Sequence, residues 1–147
     1  MQYIQIPNIA NPVSRIGFGT WGLSGDSYGS ISESQAIDAL EFAFDSGINF
    51  FDTADIYGNG KVESLLGKAF EKIRSKVILS SKVGYVKYPH KEQDFSPLFI
   101  RNRLENSLRR LKSDYIDIYF LHSPTTEVLK DSKNFDTLLK LKEEKKI

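Results

Sequence analysis

Four side chains of this 147-residue sequence have the types that a proton-transfer site needs: Asp52, Tyr57, Lys82 and His122. A free phenol ionises near pH 10, so tyrosine is ordinarily a poor acid at neutral pH. A lysine ammonium within a few ångströms favours the phenolate, so Lys82 is expected to lower the Tyr57 pKa and make the phenol a usable general acid. Asp52 would hold Lys82 protonated and oriented, and His122 could hydrogen-bond a substrate oxygen and align it. Such a group suits a carbonyl whose oxygen becomes negative as it is reduced. None of these residues can supply the hydride, so a nicotinamide cofactor is implied.

The elements that would bring these residues together follow from a hydrophobic period that alternates along the chain. Strand-like runs cover Arg15–Trp21, Ile48–Ala54, Val77–Val83 and Ile116–His122. Helical stripes lie between and after them. The first spans Ser32–Ser46, with Ser32 and Gln35 spaced as a capping box and Gly47 placed for a left-handed C-terminal cap. Val62, Leu65, Leu66, Ala69 and Phe70 make the second. The third has Ser96 as N-cap and Pro97 at its first position, with Ile100, Leu104, Leu108 and Leu111 on one face. Phe135, Leu138, Leu139 and Leu141 make the last.

Four strand–helix units in a row predict a parallel α/β sheet with helices packed outside it. Asp52, Lys82 and His122 then fall at successive strand ends, with Tyr57 in the loop beyond Asp52. In a parallel barrel those ends face one mouth. The period of two places Ile48 and Phe50 with Asp52, Ile78 with Lys82, and Ile118 and Phe120 with His122. The polar groups would therefore cap a dry interior. The long loops Gly22–Ile31 and Gly84–Asp94 both follow strands, where α/β folds build their sites. Gln2–Ile6 and Val13–Ile16 flank a turn-rich PNIANP and predict a small antiparallel hairpin ahead of the sheet.

Composition narrows the partners. Lys and Arg number 20 against 19 Asp and Glu, a net charge of +1, which offers no electrostatic case for nucleic acid or an anionic membrane. The absence of cysteine leaves no disulfide framework and no thiolate chemistry. With His90 the only other histidine, a metal role for His122 is not expected. No apolar run approaches the roughly 18 residues of a membrane span, and the N-terminus lacks the features of a signal peptide. A cytoplasmic protein is the expectation.

Two motifs read differently from their spelling. Gly17, Gly19 and Gly22 spell GxGxxG, but the third glycine must open a helix facing a pyrophosphate. Here a glycine-containing loop follows instead, and no acidic residue ends a second strand at the offset of about 20 residues that a Rossmann unit requires. Tyr57 and Lys61 spell YxxxK, with Gly58 and Gly60 between them, a composition that disfavours the helix such a pair would share. Structural roles stand beside the functional ones. An Asp–Lys pair at strand ends can be structural, a loop tyrosine can be surface, and His122 can be a satisfied core histidine.

The segments GFGTWG (17–22), GINFFDTADIYGNGKVESLLGKAF (47–70), ILSSKVG (78–84) and SLRRLKSDYIDIYFLHSP (107–124) resemble the aldo-keto reductases, in particular the branch of stress-type reductases and potassium-channel β-subunits. The resemblance implies a TIM-barrel type (β/α)8 fold, of which residues 1–147 hold the first four βα units (15–147) behind an N-terminal hairpin (1–16), with no second domain. It implies reduction of small-molecule aldehydes and ketones with NADP(H). Tyr57 is then proton donor, Lys82 and Asp52 its tuning pair, and His122 the substrate-orienting residue. Thr20, Trp21 and Asp52 would lie near the nicotinamide, and Trp21, Tyr57 and His122 would line the carbonyl pocket.

A complete barrel of this type takes about 250 residues and eight strands. By the resemblance, the residues that grip the cofactor's phosphates belong to the half this chain does not supply. Four strands would leave two edges and one apolar face open, which invites pairing with a second copy or a complementary half-barrel. The alternative to a truncated reductase is therefore a catalytically inactive fragment or a regulatory binding remnant.

Overall fold

A computed structural model describes residues 1–26, 28–87 and 92–147; His90 and parts of both long loops lie outside the described residues. The hairpin is short: β1 (Tyr3–Ile4) pairs antiparallel with β2 (Val13–Ser14). The units that follow are β3 (Phe18–Gly19) and α1 (Glu33–Asp45), β4 (Phe50–Asp52) and α2 (Lys61–Phe70), β5 (Ile78–Val83) and α3 (Pro97–Leu111), then β6 (Ile118–Leu121) with α4 (Thr126–Lys130) and α5 (Ser132–Glu143). Strands β3 to β6 form one parallel sheet in chain order. A sheet that adds each strand beside its predecessor has no topological switch point, which separates it from a doubly wound nucleotide fold and matches the winding of a barrel.

The helix boundaries follow from capping chemistry. Ser32 accepts from the Gln35 amide while the Gln35 side chain accepts from the Ser32 amide, so the predicted capping box is present. Ser96 caps α3 with Pro97 in its first turn, and Gly47 ends the α1 unit at φ 91°. Gly67 lets α2 approach the end of α3 closely. A Cβ there would collide with the Arg110 carbonyl oxygen, so the two backbones touch where no larger residue fits.

The core lies between the sheet and the helices. Phe51, Leu79 and Val83 from the strands pack there with Leu40, Leu66, Phe70 and Leu104. The opposite face is not closed: Phe50 and Ile118 are half-buried and Phe120 is 45% exposed. Of the face expected to be dry, Ile78 is buried and Ile48 is half-buried, so its cover is uneven among the described residues.

β3 is shorter than Arg15–Trp21. At Thr20 both the amide and the hydroxyl donate to the Asp52 carbonyl, at 2.9 and 2.8 Å, and the chain turns into a 3-10 turn at Trp21–Ser24. Gly22 lies inside that turn and α1 begins only at Glu33, so the GxGxxG run opens no helix. The YxxxK pair also falls apart: Tyr57 starts a 3-10 turn through Gly60 with Gly58, Asn59 and Gly60 at positive φ, and α2 begins at Lys61. α4, capped by Thr125, is one short turn that no apolar stripe signalled. No helix among the described residues is long and apolar enough to cross a membrane.

Candidate active site

The sheet register sets the floor of the site. Asp52 pairs with Ser80, Ser80 with Ile118, and Lys82 with Phe120, so Asp52, Ser80 and Lys82 share one face near the strand ends. Lys82 Nζ donates to Asp52 Oδ2 at 2.6 Å and to the Thr53 carbonyl at 2.7 Å. Ser80 Oγ donates to Asp52 Oδ1 at 2.7 Å. Both carboxylate oxygens are therefore engaged, and the carboxylate cannot rotate away from the ammonium. His122 follows β6 in register, its amide donating to the Val83 carbonyl at 2.7 Å.

Tyr57 reaches this floor from the loop after β4. Its amide bonds the Ala54 carbonyl at 3.1 Å, and the left-handed residues that follow turn the chain back sharply into α2. Lys82 Nζ stands 5.3 Å from the centre of the phenol ring. The His122 ring lies edge-on to Tyr57 at 6.1 Å, and Tyr85 lies edge-on to His122 at 4.9 Å. The structure thus brings Asp52, Tyr57, Lys82 and His122 to one end of the sheet. Thr20 joins them through the Asp52 backbone and is fully buried, whereas Trp21 is 40% exposed with its ring edge-on to Tyr28.

The phenol departs from expectation in one respect. Burial, reinforced by the Asp52 charge, holds the Tyr57 pKa above its ordinary value rather than below it. Lys82 is near the ring, but its charge is offset by the Asp52 carboxylate it bonds, and burial prevails. Tyr57 therefore keeps its proton at neutral pH, which is the form a proton donor requires.

The sequence reading missed Ser80 and Tyr85. The first shares a period-two face with Lys82 and could have been found that way. It also missed a charged layer behind the sheet. Glu63 on α2 is completely buried, accepts from Ser81 Oγ at 2.6 Å and pairs with Arg110 of α3. Asp55 is buried with Arg103 Nε 3.5 Å from its Oδ2. Tyr119 in β6 is pushed well above the ordinary phenol range by burial, then by Asp55 and Glu63.

Burial raises the Asp55 carboxyl from 3.8 to about 7; Glu63 adds to the rise, while Arg103, Arg110 and the Ile56 amide oppose it. The folded state then holds a proton that the unfolded chain releases. The associated stability is present in full below about pH 4 and is lost as pH rises through about 7. Asp55→Asn removes the titrating group. The melting temperature of the natural chain relative to Asp55→Asn should fall as pH rises from 5 to 8, by a linkage on the order of a few kcal/mol. A difference that stays flat over that range would contradict the assignment.

A family model described as the aldo/keto reductase family matches residues 15–147. The aldo-keto reductase YhdN of Bacillus subtilis is 37% identical over 142 residues, covering 89% of this chain and 43% of that protein. A probable voltage-gated potassium channel subunit beta of Oryza sativa is 32% identical over 127 residues, covering 84% of this chain and 38% of that protein. Among solved structures, a holo aldo-keto reductase from Bacillus halodurans superposes with a TM-score of 0.85 at 32% identity, covering 99% of this chain and 47% of that one. An aldo/keto reductase from Klebsiella pneumoniae, in complex with NADP and acetate, has a TM-score of 0.74 at 32% identity, covering 92% of this chain and 44% of that one. The chain spans less than half the length of these relatives.

Proposed function

The chain belongs to the aldo/keto reductase family, and on that premise we propose that it carries the proton-delivery side of an NADPH-dependent aldehyde and ketone reductase. The observation that carries the reading is the Lys82–Asp52 bond at 2.6 Å with the Tyr57 ring 5.3 Å from the same ammonium and His122 edge-on to that ring. The NADP seen in the Klebsiella pneumoniae relative supports the choice of cofactor. Bound NADPH supplies the hydride.

This chain's residues do the rest. His122 hydrogen-bonds the carbonyl oxygen and aligns it toward Tyr57. As negative charge grows on that oxygen, the Tyr57 phenol gives up its proton. The Lys82 ammonium, held by Asp52, stabilises the phenolate left behind. Exposed Trp21 and Phe120, with half-buried Phe50, offer apolar surface for the nicotinamide ring and an aromatic or aliphatic carbonyl. Those surfaces fit the nicotinamide end. Among the described residues of the floor, the cation is Lys82, and its bonds to Asp52 and the Thr53 carbonyl leave it poorly suited to hold the phosphates.

That mismatch favours a second statement about the chain by itself: alone it is a half-barrel that does not retain NADPH and covers its open face by self-association or by a complementary half. Joining residues 1–147 to the remaining segment of the Bacillus subtilis relative tests both. The fusion should consume one NADPH per aromatic aldehyde reduced, and the 147-residue chain should show no saturable NADPH fluorescence change at micromolar concentrations. A folded fusion without turnover would contradict the reductase reading; micromolar binding by the chain alone would contradict the second.

A further inference from the structure

The Tyr57 turn and the Tyr85 loop follow different strands, and one side chain of α3 reaches both. Arg103 stands with Nε 3.5 Å from Asp55 Oδ2 and donates through Nη2 to the Tyr85 carbonyl at 3.2 Å and to the Val86 carbonyl. Its guanidinium also lies over the Phe99 ring at 4.9 Å. Asp55 is two residues before Tyr57, and its amide donates to the Lys82 carbonyl at 3.3 Å. Tyr85 supports His122 edge-on, and Gln93 Nε2 holds the His122 and Ser123 carbonyls at 3.0 and 3.1 Å.

An arginine kept for solubility extends its head into water. This one is mostly buried, and its head is divided between a fully buried carboxylate and two loop carbonyls. Desolvating a guanidinium is costly unless several partners meet it in good geometry. The planar fork bonds the two loop carbonyls directly, with a fixed direction that a flexible ammonium would not give, and faces the Asp55 carboxylate as an ion pair without a hydrogen bond.

We propose that Arg103 is a positioning residue that sets the distance between the Tyr57 phenol and the His122 imidazole by tying the Asp55 segment to the Tyr85–Val86 loop. The proposal takes from the functional reading only that these two rings act on one carbonyl. Arg103 acts through its neighbours and touches no substrate.

Arg74 provides a matched control at the opposite ends of the strands. It too combines a carboxylate with backbone carbonyls, bonding Asp117 Oδ2 at 2.7 Å, the Tyr115 carbonyl at 3.0 Å and the Val77 carbonyl at 2.9 Å. The test is ring-to-ring nuclear Overhauser contacts in the isotopically labelled chain. Arg103→Met should lose the Tyr85–His122 contact and shift the Tyr57 and His122 ring signals, and Arg103→Lys should restore them in part. Arg74→Met should lower the melting temperature yet keep the contact. Retention of the contact with unshifted rings in Arg103→Met would overturn the proposal, as would its loss in both methionine variants. If Arg103→Met fails to fold, Asp55→Asn decides. Recorded at pH 8, where the Asp55 carboxylate is ionised, that variant keeps the guanidinium and its carbonyl bonds but removes the charge, and should displace the Tyr57 ring signals; unchanged spectra would overturn the proposal. None of these readouts uses turnover, so an active Tyr57→Phe enzyme would remove the functional reading without touching this one.

Discussion

Tyr57→Phe should lower kcat for carbonyl reduction by about 10²–10⁴-fold while leaving the fold and KM for NADPH nearly unchanged. The substitution removes one hydroxyl and keeps the ring that lies edge-on to His122 and near Lys82. What disappears is the proton. A phenol keeps its proton at neutral pH and burial with Asp52 shifts Tyr57 further that way, so nearly every molecule of the natural protein has a loaded donor. Water is a poor replacement, since its proton is not positioned beside the developing alkoxide. Turnover is measured by NADPH absorbance in the fusion with the Bacillus subtilis segment, and a Tyr57→Phe variant within a few-fold of the natural rate would remove the assigned role.

Lys82→Met should cost about 10²–10³ in kcat, the range seen when one preorganised electrostatic partner is lost. Two effects add. The phenolate loses its cation, and Asp52, relieved of its partner, opposes negative charge on Tyr57 more strongly. Stability should also fall by about 1–3 kcal/mol, because a partly buried carboxylate is left with Ser80 Oγ as its side-chain donor. Combining Lys82→Met with Asp52→Asn separates the two consequences. The double variant should recover much of the lost stability, read as melting temperature, but only the part of the lost turnover that came from the unpaired Asp52 charge. Full recovery of both would make the pair structural rather than chemical.

The parts of this site that could be read from the sequence are those governed by local periods. Asp52, Lys82 and His122 sit at strand ends because runs such as INFFDTA and VILSSKV carry their own boundaries, and parallel register then brings those ends together. The helices were legible for the same reason, with Ser32–Gln35 and Ser96–Pro97 announcing two of their starts. What was not legible depends on partners distant in the chain. Glu63 sits beside the apolar positions of α2, and nothing near it announces Arg110, 47 residues later. Asp55 and Arg103 are equally silent. The direction of the Tyr57 shift is hidden on similar grounds: the nearness of Lys82 is legible, but not the burial of the phenol, which with the Asp52 charge outweighs it. β3 keeps only Phe18–Gly19 in register with Phe51–Asp52, and the chain leaves the sheet at Thr20 for the turn at Trp21–Ser24, a boundary that the apolar run does not mark.

Asp52, Tyr57, Lys82 and His122 are held to act as one proton-delivery unit, and groups that act as a unit do not contribute additively. The most direct measurement is kcat of the Tyr57→Phe/Lys82→Met double variant beside the two single variants. Lys82 works by stabilising the Tyr57 phenolate, so once the hydroxyl is gone its loss should cost little more, and the double variant should match Tyr57→Phe within a few-fold. A double variant slower by the product of the two single losses would contradict the account, because Lys82 would then be acting on something other than Tyr57.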